Sequence, residues 1–227
     1  MSPSGDEVTT MAKRQLFMAP TLWNSFDWLE AAPPSWQESA RNGLLDTLQR
    51  KGFNPNDAVK RGMAFEDALI NEKKNKFRID PSVQDKYDEF YDIIHQEGNE
   101  YQRVAKYYFT MDDRPFLMYG REDVFVPSVP HIIDIKTTGN YKGPKNYLKG
   151  WQHKVYCLAE HISTFDYIVY EFSKIGHVVG IHKIPYVVED WDELEADVKG
   201  NADKVIKIIR ADPEFKEAFM NTYNKKF

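Results

Sequence analysis

The chain has one cysteine, Cys157, among its 227 residues. A single cysteine cannot form an intrachain disulfide, and its scarcity is typical of a reducing compartment. The sequence also has no apolar run near the roughly 18 residues that a membrane-spanning helix needs. Its first residues lack the charged and apolar regions of a signal peptide. We therefore expect a cytoplasmic protein that does not associate with a membrane.

Positive charge is in the minority, because 30 Lys and Arg residues face 35 Asp and Glu residues for a net charge of -5. This balance argues against a protein that coats nucleic acid through its overall charge, so contact with a polyanion must use local charge. With 42% hydrophobic and 14% aromatic residues, the chain can bury a full core. We expect one domain over residues 16–227 with N- and C-terminal helical additions, preceded by a mobile segment over residues 1–15.

Apolar periodicity and turn residues predict an α/β protein. The predicted strands cover residues 101–111, 116–126, 131–137, 165–172 and 177–186. The predicted helices cover residues 54–75, 82–96, 144–161 and 191–210. Asp212 and Pro213 end the last of these before a short final helix.

The most informative residues lie in two neighbouring strands. Gly120-Arg-Glu-Asp-Val-Phe-Val is followed, after Pro127-Ser-Val-Pro, by Ile132-Ile-Asp-Ile-Lys-Thr-Thr. The prolines predict a hairpin loop, which can bring Asp123 beside Asp134. Asp134 and Lys136 are two residues apart, so they project from the same face of a strand, while Ile135 points into the core and offers its carbonyl oxygen.

This combination of side chains suits phosphodiester hydrolysis. Hard ions such as Mg²⁺ prefer carboxylate, carbonyl and water oxygens, and they neutralise phosphate and activate water. Lys136 would either stabilise charge or deprotonate the attacking water, and the adjacent carboxylates favour its charged form. An isolated Asp-x-Lys usually marks a solvated strand edge. Inside so apolar a run, however, a charged pair needs partners or an ion.

Two helices carry further candidates. Glu66, in the predicted helix over residues 54–75, is a candidate third acidic ligand; its alternative role is that of an exposed helix glutamate. Gln152 and Tyr156 are four residues apart, so they share one face of the predicted helix over residues 144–161. Both helices can therefore direct polar groups toward the two aspartates.

A lysine-rich stretch follows the Asp-x-Lys pair. Between Lys136 and Lys154 there is no Asp or Glu, and aromatic residues are interleaved with the lysines. This pattern predicts a track for phosphate groups with stacking surfaces, made of Lys142, Lys145, Lys149, Trp151 and Lys154. The alternative is a solvated helix face with aromatic packing.

In this order, Gly62-x-x-x-Glu66, Gly120-x-x-Asp123, Asp134-x-Lys136 and Gln152-x-x-x-Tyr156 resemble the RecB-like branch of the PD-(D/E)xK nuclease superfamily. The resemblance implies a restriction-endonuclease-like core, with a central mixed β-sheet flanked by helices, and an Mg²⁺ or Mn²⁺ site for DNA cleavage. It implies that Asp123 and Asp134 are metal ligands and that Lys136 is the catalytic lysine. It also implies that Gln152 and Tyr156 support the lysine and contact DNA.

The chain departs from this family pattern at several positions. Glu122 stands where many members have proline, which puts little in doubt. Glu66 stands where many RecB-like enzymes have a histidine ligand, and His95 is an alternative ligand. Some relatives carry four cysteines for an iron–sulfur cluster, which the single Cys157 excludes.

The resemblance also implies an activity. We expect a metal-dependent exonuclease that acts on DNA ends in repair, recombination or phage DNA processing, in a bacterial or phage-infected cell, and that can form a homo-oligomer. A structure-specific endonuclease and an RNA-directed nuclease remain alternatives. So does a noncatalytic DNA-binding or assembly protein with a nuclease fold, although such a protein has no chemical reason to retain Asp123, Asp134 and Lys136 together.

Overall fold

The computed structural model describes residues 16–52, 55–71, 76–111 and 114–223, so the predicted mobile segment 1–15 lies outside the described residues. The strands are β1 (Leu16–Met18), β2 (Glu100–Met111), β3 (Arg114–Val126), β4 (His131–Thr138), β5 (Thr164–Phe172) and β6 (Val178–Val187). The helices are α1 (Pro20–Ala31), α2 (Gln37–Leu48), α3 (Asp57–Ile70), α4 (Gln84–Ile94), α5 (Lys145–Leu148), α6 (Gln152–Glu160), α7 (Trp191–Ala211) and α8 (Pro213–Tyr223). None of these helices combines the length and the apolarity that crossing a membrane requires.

The six described strands form one mixed sheet in the order β1-β3-β4-β5-β6, with β2 also paired to β3. Strand β3 is parallel to β1 and antiparallel to β2 and β4. Strands β4 and β5 are parallel, and such a pair needs a long crossover connection, which contains α6. The predicted central mixed sheet flanked by helices is therefore confirmed, and the strand that carries Asp123 contacts three neighbours.

The sheet separates two apolar cores. Helices α1, α2, α6, α7 and α8 cover one face, where Ile132 is buried. Helices α3 and α4 cover the other face, where Ile133 and Ile135 are buried. A slip of β4 by one residue would exchange these faces and place Asp134 in the apolar core under α3 and α4, where burial of an unpaired charge is costly. The apolar residues therefore determine which way Asp134 and Lys136 project.

Helix α3 is shorter than the predicted helix over residues 54–75. It begins after Asn56, whose side chain accepts a hydrogen bond from the backbone N–H of Val59 at 3.0 Å. Asn is a favoured N-cap residue because its oxygen satisfies one of the first free N–H groups. The helix therefore begins at Asp57, and residues 54 and 72–75 of the predicted range lie outside the described residues.

The predicted helix over residues 144–161 is wrong as a single element, because α5 and α6 are separate helices. Gly150 lies at the break, where a helical conformation costs about 1 kcal/mol relative to alanine. The backbone N–H of Trp151 donates to the side chain of Asn24 in α1 at 3.3 Å. Contact with α1 thus favours the break. The predicted helices over residues 82–96 and 191–210 and the predicted strands agree with the structure to within two residues.

Candidate active site

The β3–β4 hairpin brings two buried carboxyl groups together. Asp123 is 8% exposed and Asp134 is 1% exposed. Oδ2 of Asp123 accepts a hydrogen bond from the backbone N–H of Ile135 at 2.7 Å. This bond ties the Asp123 side chain to the backbone next to Asp134, so two acidic groups share one site at the sheet.

Lys136 forms an ion pair with the carboxylate of Asp134. Its side chain is 31% exposed, and its Nζ lies 5.9 Å from the centre of the Tyr167 ring. Burial lowers the pKa of Lys136, but the negative charges of Asp134, Asp123 and Glu66 outweigh burial and raise this pKa above its ordinary value. Lys136 therefore carries a positive charge at neutral pH.

The carboxyl groups disfavour each other's ionisation. Burial, followed by the charges of Asp134 and Glu66, raises the pKa of Asp123 to about 8. Burial also raises the pKa of Asp134 and that of Glu66 above their ordinary values. So crowded an acidic site favours the uptake of a cation, since buried charge needs a compensating charge.

Glu66 projects from α3 and is joined to this site by Gln102 of β2. The Gln102 Nε2 atom donates to Oε1 of Glu66 at 3.4 Å and to Oδ1 of Asp123 at 3.3 Å. Gln102 was not among the predicted site residues, because a glutamine in a polar strand gives no pattern that marks it. Glu66 thus provides a third acidic group, and the side-chain amide of Gln102 bridges it to Asp123.

The β2–β3 ladder is irregular at this point. Pairs form at Tyr101–Val124 and at Arg103–Glu122, but Gln102 and Asp123 between them form no ladder pair. The backbone φ of Gln102 is 52°, in the left-handed region that most residues avoid.

Glu122 and Val124, on either side of Asp123, point toward opposite faces of the sheet. The buried Glu122 accepts from Arg103 at 3.1 Å, and Arg103 also donates to Glu160 of α6 at 2.7 Å. Val124, in contrast, packs in the core beneath α3, although residues 122 and 124 of a regular strand would share one face. At this change of face, the Asp123 side chain contacts Gln102 and the backbone N–H of Ile135.

Gln152 and Tyr156 of α6 approach the site from the other face. The Gln152 Nε2 atom donates to Oδ1 of Asp134 at 3.4 Å and to the Tyr156 hydroxyl at 3.5 Å. The hydroxyl of Tyr156 donates to the backbone carbonyl of Arg121 at 3.1 Å. Both side chains therefore lie next to the aspartate pair.

Two motif glycines permit these close approaches. A Cβ atom at Gly120 would lie 2.3 Å from the Tyr156 ring, and one at Gly62 would lie 2.4 Å from the Thr137 hydroxyl oxygen. Gly120 thus leaves room for Tyr156 against β3. Gly62 lets α3 approach β4 closely, and Glu66 of the same helix contacts Gln102.

The donor set suits a hard divalent ion. Asp123 and Asp134 provide two converging carboxyl groups, with the carbonyl of Ile135 in the backbone between Asp134 and Lys136. No group of three His, Cys, Asp or Glu side chains in the described chain is arranged as a complete metal site. An ion would therefore rest on two carboxylates plus backbone and water oxygens, with Glu66 close to it.

His95, the alternative ligand, has other contacts. Its Nε2 atom is hydrogen-bonded to the carbonyl of Leu69 at 2.7 Å, and its Nδ1 lies 3.4 Å from the Tyr101 hydroxyl. Its ring centre lies 4.3 Å from that of Tyr91. These contacts fix His95 at the end of α4, so Glu66 is the better candidate for a ligand beside Asp123.

The lysine-rich segment borders the site. The ring of Tyr147 lies 5.9 Å from that of Tyr167, which is also the ring that Lys136 approaches. The exposed lysines of this segment are Lys142, Lys145 and Lys149.

Two other members of the predicted phosphate track are engaged within the protein. Lys154 pairs with Asp197 of α7 at 2.6 Å. The indole N–H of Trp151 donates to Asp27 of α1 at 2.6 Å, and its ring packs against Trp23 with the centres 5.4 Å apart. Both side chains hold α6 in place.

Comparisons with known proteins return structural neighbours only, since no protein-family model and no curated protein matches the sequence. An alkaline exonuclease from Laribacter hongkongensis is 13% identical with a TM-score of 0.49, over 88% of this chain and 90% of that chain. A phage-related exonuclease from Haemophilus somnus is 11% identical with a TM-score of 0.46, over 90% of this chain and 92% of that chain. The protein SSO0001 is 12% identical with a TM-score of 0.49, over 89% and 81% respectively.

Proposed function

We propose that the protein is a metal-dependent deoxyribonuclease that acts as an exonuclease on DNA ends. The observation that carries this proposal is the convergence of Asp123, Asp134 and Lys136 on two hydrogen-bonded strands. Two buried carboxylates with one charged lysine offer both a cation site and a positive group for a phosphate. A solvated strand edge would not need to bury its two aspartates.

Asp123, Asp134 and the carbonyl of Ile135 would hold Mg²⁺ or Mn²⁺, with Glu66 as a further ligand directly or through water. When bound, the ion supplies neutralisation of the phosphate and an activated water. Burial and then the charges of Asp134 and Glu66 raise the pKa of Asp123, and a bound cation would offset both effects by compensating the negative charge.

The other site residues stabilise the charge on the phosphate or orient the carboxylates that would hold the ion. The ammonium group of Lys136, which pairs with Asp134, would contact the scissile phosphate and stabilise the charge that grows there as the bond breaks. Gln152 holds Asp134 by a hydrogen bond at 3.4 Å, which limits the rotation of that carboxylate. Tyr156, which contacts Gln152 and the backbone of β3, positions Gln152.

A cavity borders Gln152 and Tyr156, while Asp123, Asp134 and Lys136 are not among the residues that line it. It has a volume of about 340 Å³ and is lined in part by Val104, Arg121, Gln152 and Tyr156. Its size falls in the range of ligand pockets, and the guanidinium of Arg121 adds a positive charge for a phosphate. When a DNA end is bound beside this cavity, the exposed Lys142, Lys145 and Lys149 would contact the phosphates of the rest of the strand.

The exonuclease assignment is tested with linear and covalently closed circular DNA of one sequence. We expect the protein to degrade the linear form with Mg²⁺ or Mn²⁺, and neither form in the presence of a chelator. Cutting of the closed circle would show that the protein is an endonuclease and not an exonuclease, because a closed circle has no end. Cleavage of RNA but not DNA would assign the site to RNA, and tight binding without cleavage would favour a noncatalytic role.

The lysine segment gives a prediction about binding. Replacing Lys149 with alanine is expected to weaken DNA binding equally for all sequences, and to lower the slope of log K against log salt concentration by about one. The measurement is a salt titration of binding to a labelled oligonucleotide in Ca²⁺. Lys154→Ala is the matched control, because Lys154 is already paired with Asp197. Equal salt slopes for Lys149→Ala and the native chain would contradict the proposed surface.

A further inference from the structure

Gln102 connects two acidic groups that come from different elements. Its Nε2 atom lies 3.4 Å from Oε1 of Glu66 and 3.3 Å from Oδ1 of Asp123. The atom between them is the amide NH₂ group, which has one hydrogen to donate to each carboxyl oxygen. No other residue type with a neutral side chain of this length has two such hydrogens on one atom.

The backbone at Gln102 is adapted to this contact. A φ of 52° is strained for a residue with a side chain, and Gly, Asn or Asp is more usual there. Such strain persists where the surrounding structure requires it, and it concentrates at functional sites. If the backbone shape alone mattered, glycine would serve better, so the amide itself accounts for glutamine at this position.

The surroundings of Gln102 place it at the edge of the proposed ion site. Glu66 and Gln102 line the same surface cavity, together with Met63 and Ile70 of α3. Asp123, the other partner of Gln102, is anchored on its opposite oxygen by the N–H of Ile135. Through its two hydrogen bonds, Gln102 therefore couples the position of Glu66 on α3 to the Asp123–Asp134 pair.

We propose that Gln102 is a positioning residue that holds Glu66 and Asp123 in register and so raises the affinity of the site for a divalent cation. This inference rests on the proposed function and adds to it a residue that acts through the ligands. Hydrogen-bonding partners of metal ligands typically change metal affinity by about 10- to 100-fold when removed.

The test is calorimetric titration of the native chain and of Gln102→Gly with Mn²⁺ in the absence of DNA. Glycine accepts a φ of 52° without strain, so the variant removes the amide and keeps the backbone. We expect its dissociation constant for Mn²⁺ to rise by about 10- to 100-fold. Thr110→Gly is the matched control, because Thr110 is an exposed residue of the same strand, and its dissociation constant is expected to stay at the native value.

Cleavage gives an independent readout. With Gln102→Gly, the Mn²⁺ concentration for half-maximal rate should rise while the rate at saturating Mn²⁺ falls much less. A dissociation constant for Gln102→Gly within twofold of native would overturn the inference and leave the proposed function intact. Absence of Mn²⁺ binding by the native chain would instead refute the metal site on which the proposed function depends.

Discussion

Replacing Lys136 with alanine is expected to lower the rate of DNA cleavage by at least about 10²- to 10³-fold, the usual effect of removing one group that stabilises a developing negative charge. The structure gives two reasons. Lys136 is the positive group paired with Asp134, and the surrounding carboxylates keep it protonated. Its loss removes positive charge from the position of the phosphate and leaves Asp134 without its counter-charge.

The measurement follows end-labelled linear DNA with Mg²⁺ or Mn²⁺ and with chelator. Lys106→Ala is the control, since Lys106 is an exposed lysine of β2; its rate should match that of the native chain. If the Lys136→Ala protein stays folded and retains more than a tenth of the native rate, Lys136 does not stabilise the developing charge as proposed. If the native chain cleaves the DNA, the labelled end that shortens first gives the polarity of cleavage.

Replacing Asp134 with asparagine is expected to abolish stabilisation of the fold by divalent cations. A ligand at 100 times its dissociation constant stabilises the native state by about 2.7 kcal/mol. For a chain of this size, that corresponds to a rise of about 5–10 °C in the unfolding midpoint. The variant should show almost no rise with Mn²⁺, because it lacks one of the two buried carboxylates that would hold the ion.

Thermal unfolding with and without Mn²⁺ measures this difference within each protein, so a change in basal stability cancels. Asp166→Asn is a matched control. Asp166 is also a buried aspartate, 4% exposed, but it pairs with His131 at 2.8 Å and with Lys183 at 2.9 Å, away from Asp123. An equal Mn²⁺-dependent rise in native and Asp134→Asn proteins would place the ion elsewhere.

Local patterns were sufficient to predict the hairpin of the site. Alternation of side chains along β4 determines that Asp134 and Lys136 share a face, while the apolar Ile133 and Ile135 require the other face to be buried. The prolines at 127 and 130 predict the loop that brings β3 back beside β4. These features depend on residues close in sequence, so one sequence is enough to infer them.

The surface of the site could not be predicted in the same way. The stretch from Lys136 to Lys154 has no acidic residue along the chain, yet Asp197 of α7 neutralises Lys154 and Asp27 of α1 binds Trp151. The break between α5 and α6 likewise depends on Asn24. Each of these partners is more than 40 residues away, and sequence spacing carries no information about such contacts.

The sequence by itself determined that Asp134 and Lys136 share one face of a strand and that Gln152 and Tyr156 share one face of a helix. These follow from side-chain periods of 2.0 and 3.6 residues, which act over a few positions. Only the tertiary structure decided that Gln102 lies between Glu66 and Asp123, because this contact needs a left-handed backbone in β2 and the approach of α3 to β4. Both are consequences of how distant elements pack, and packing is resolved only when the whole core is formed.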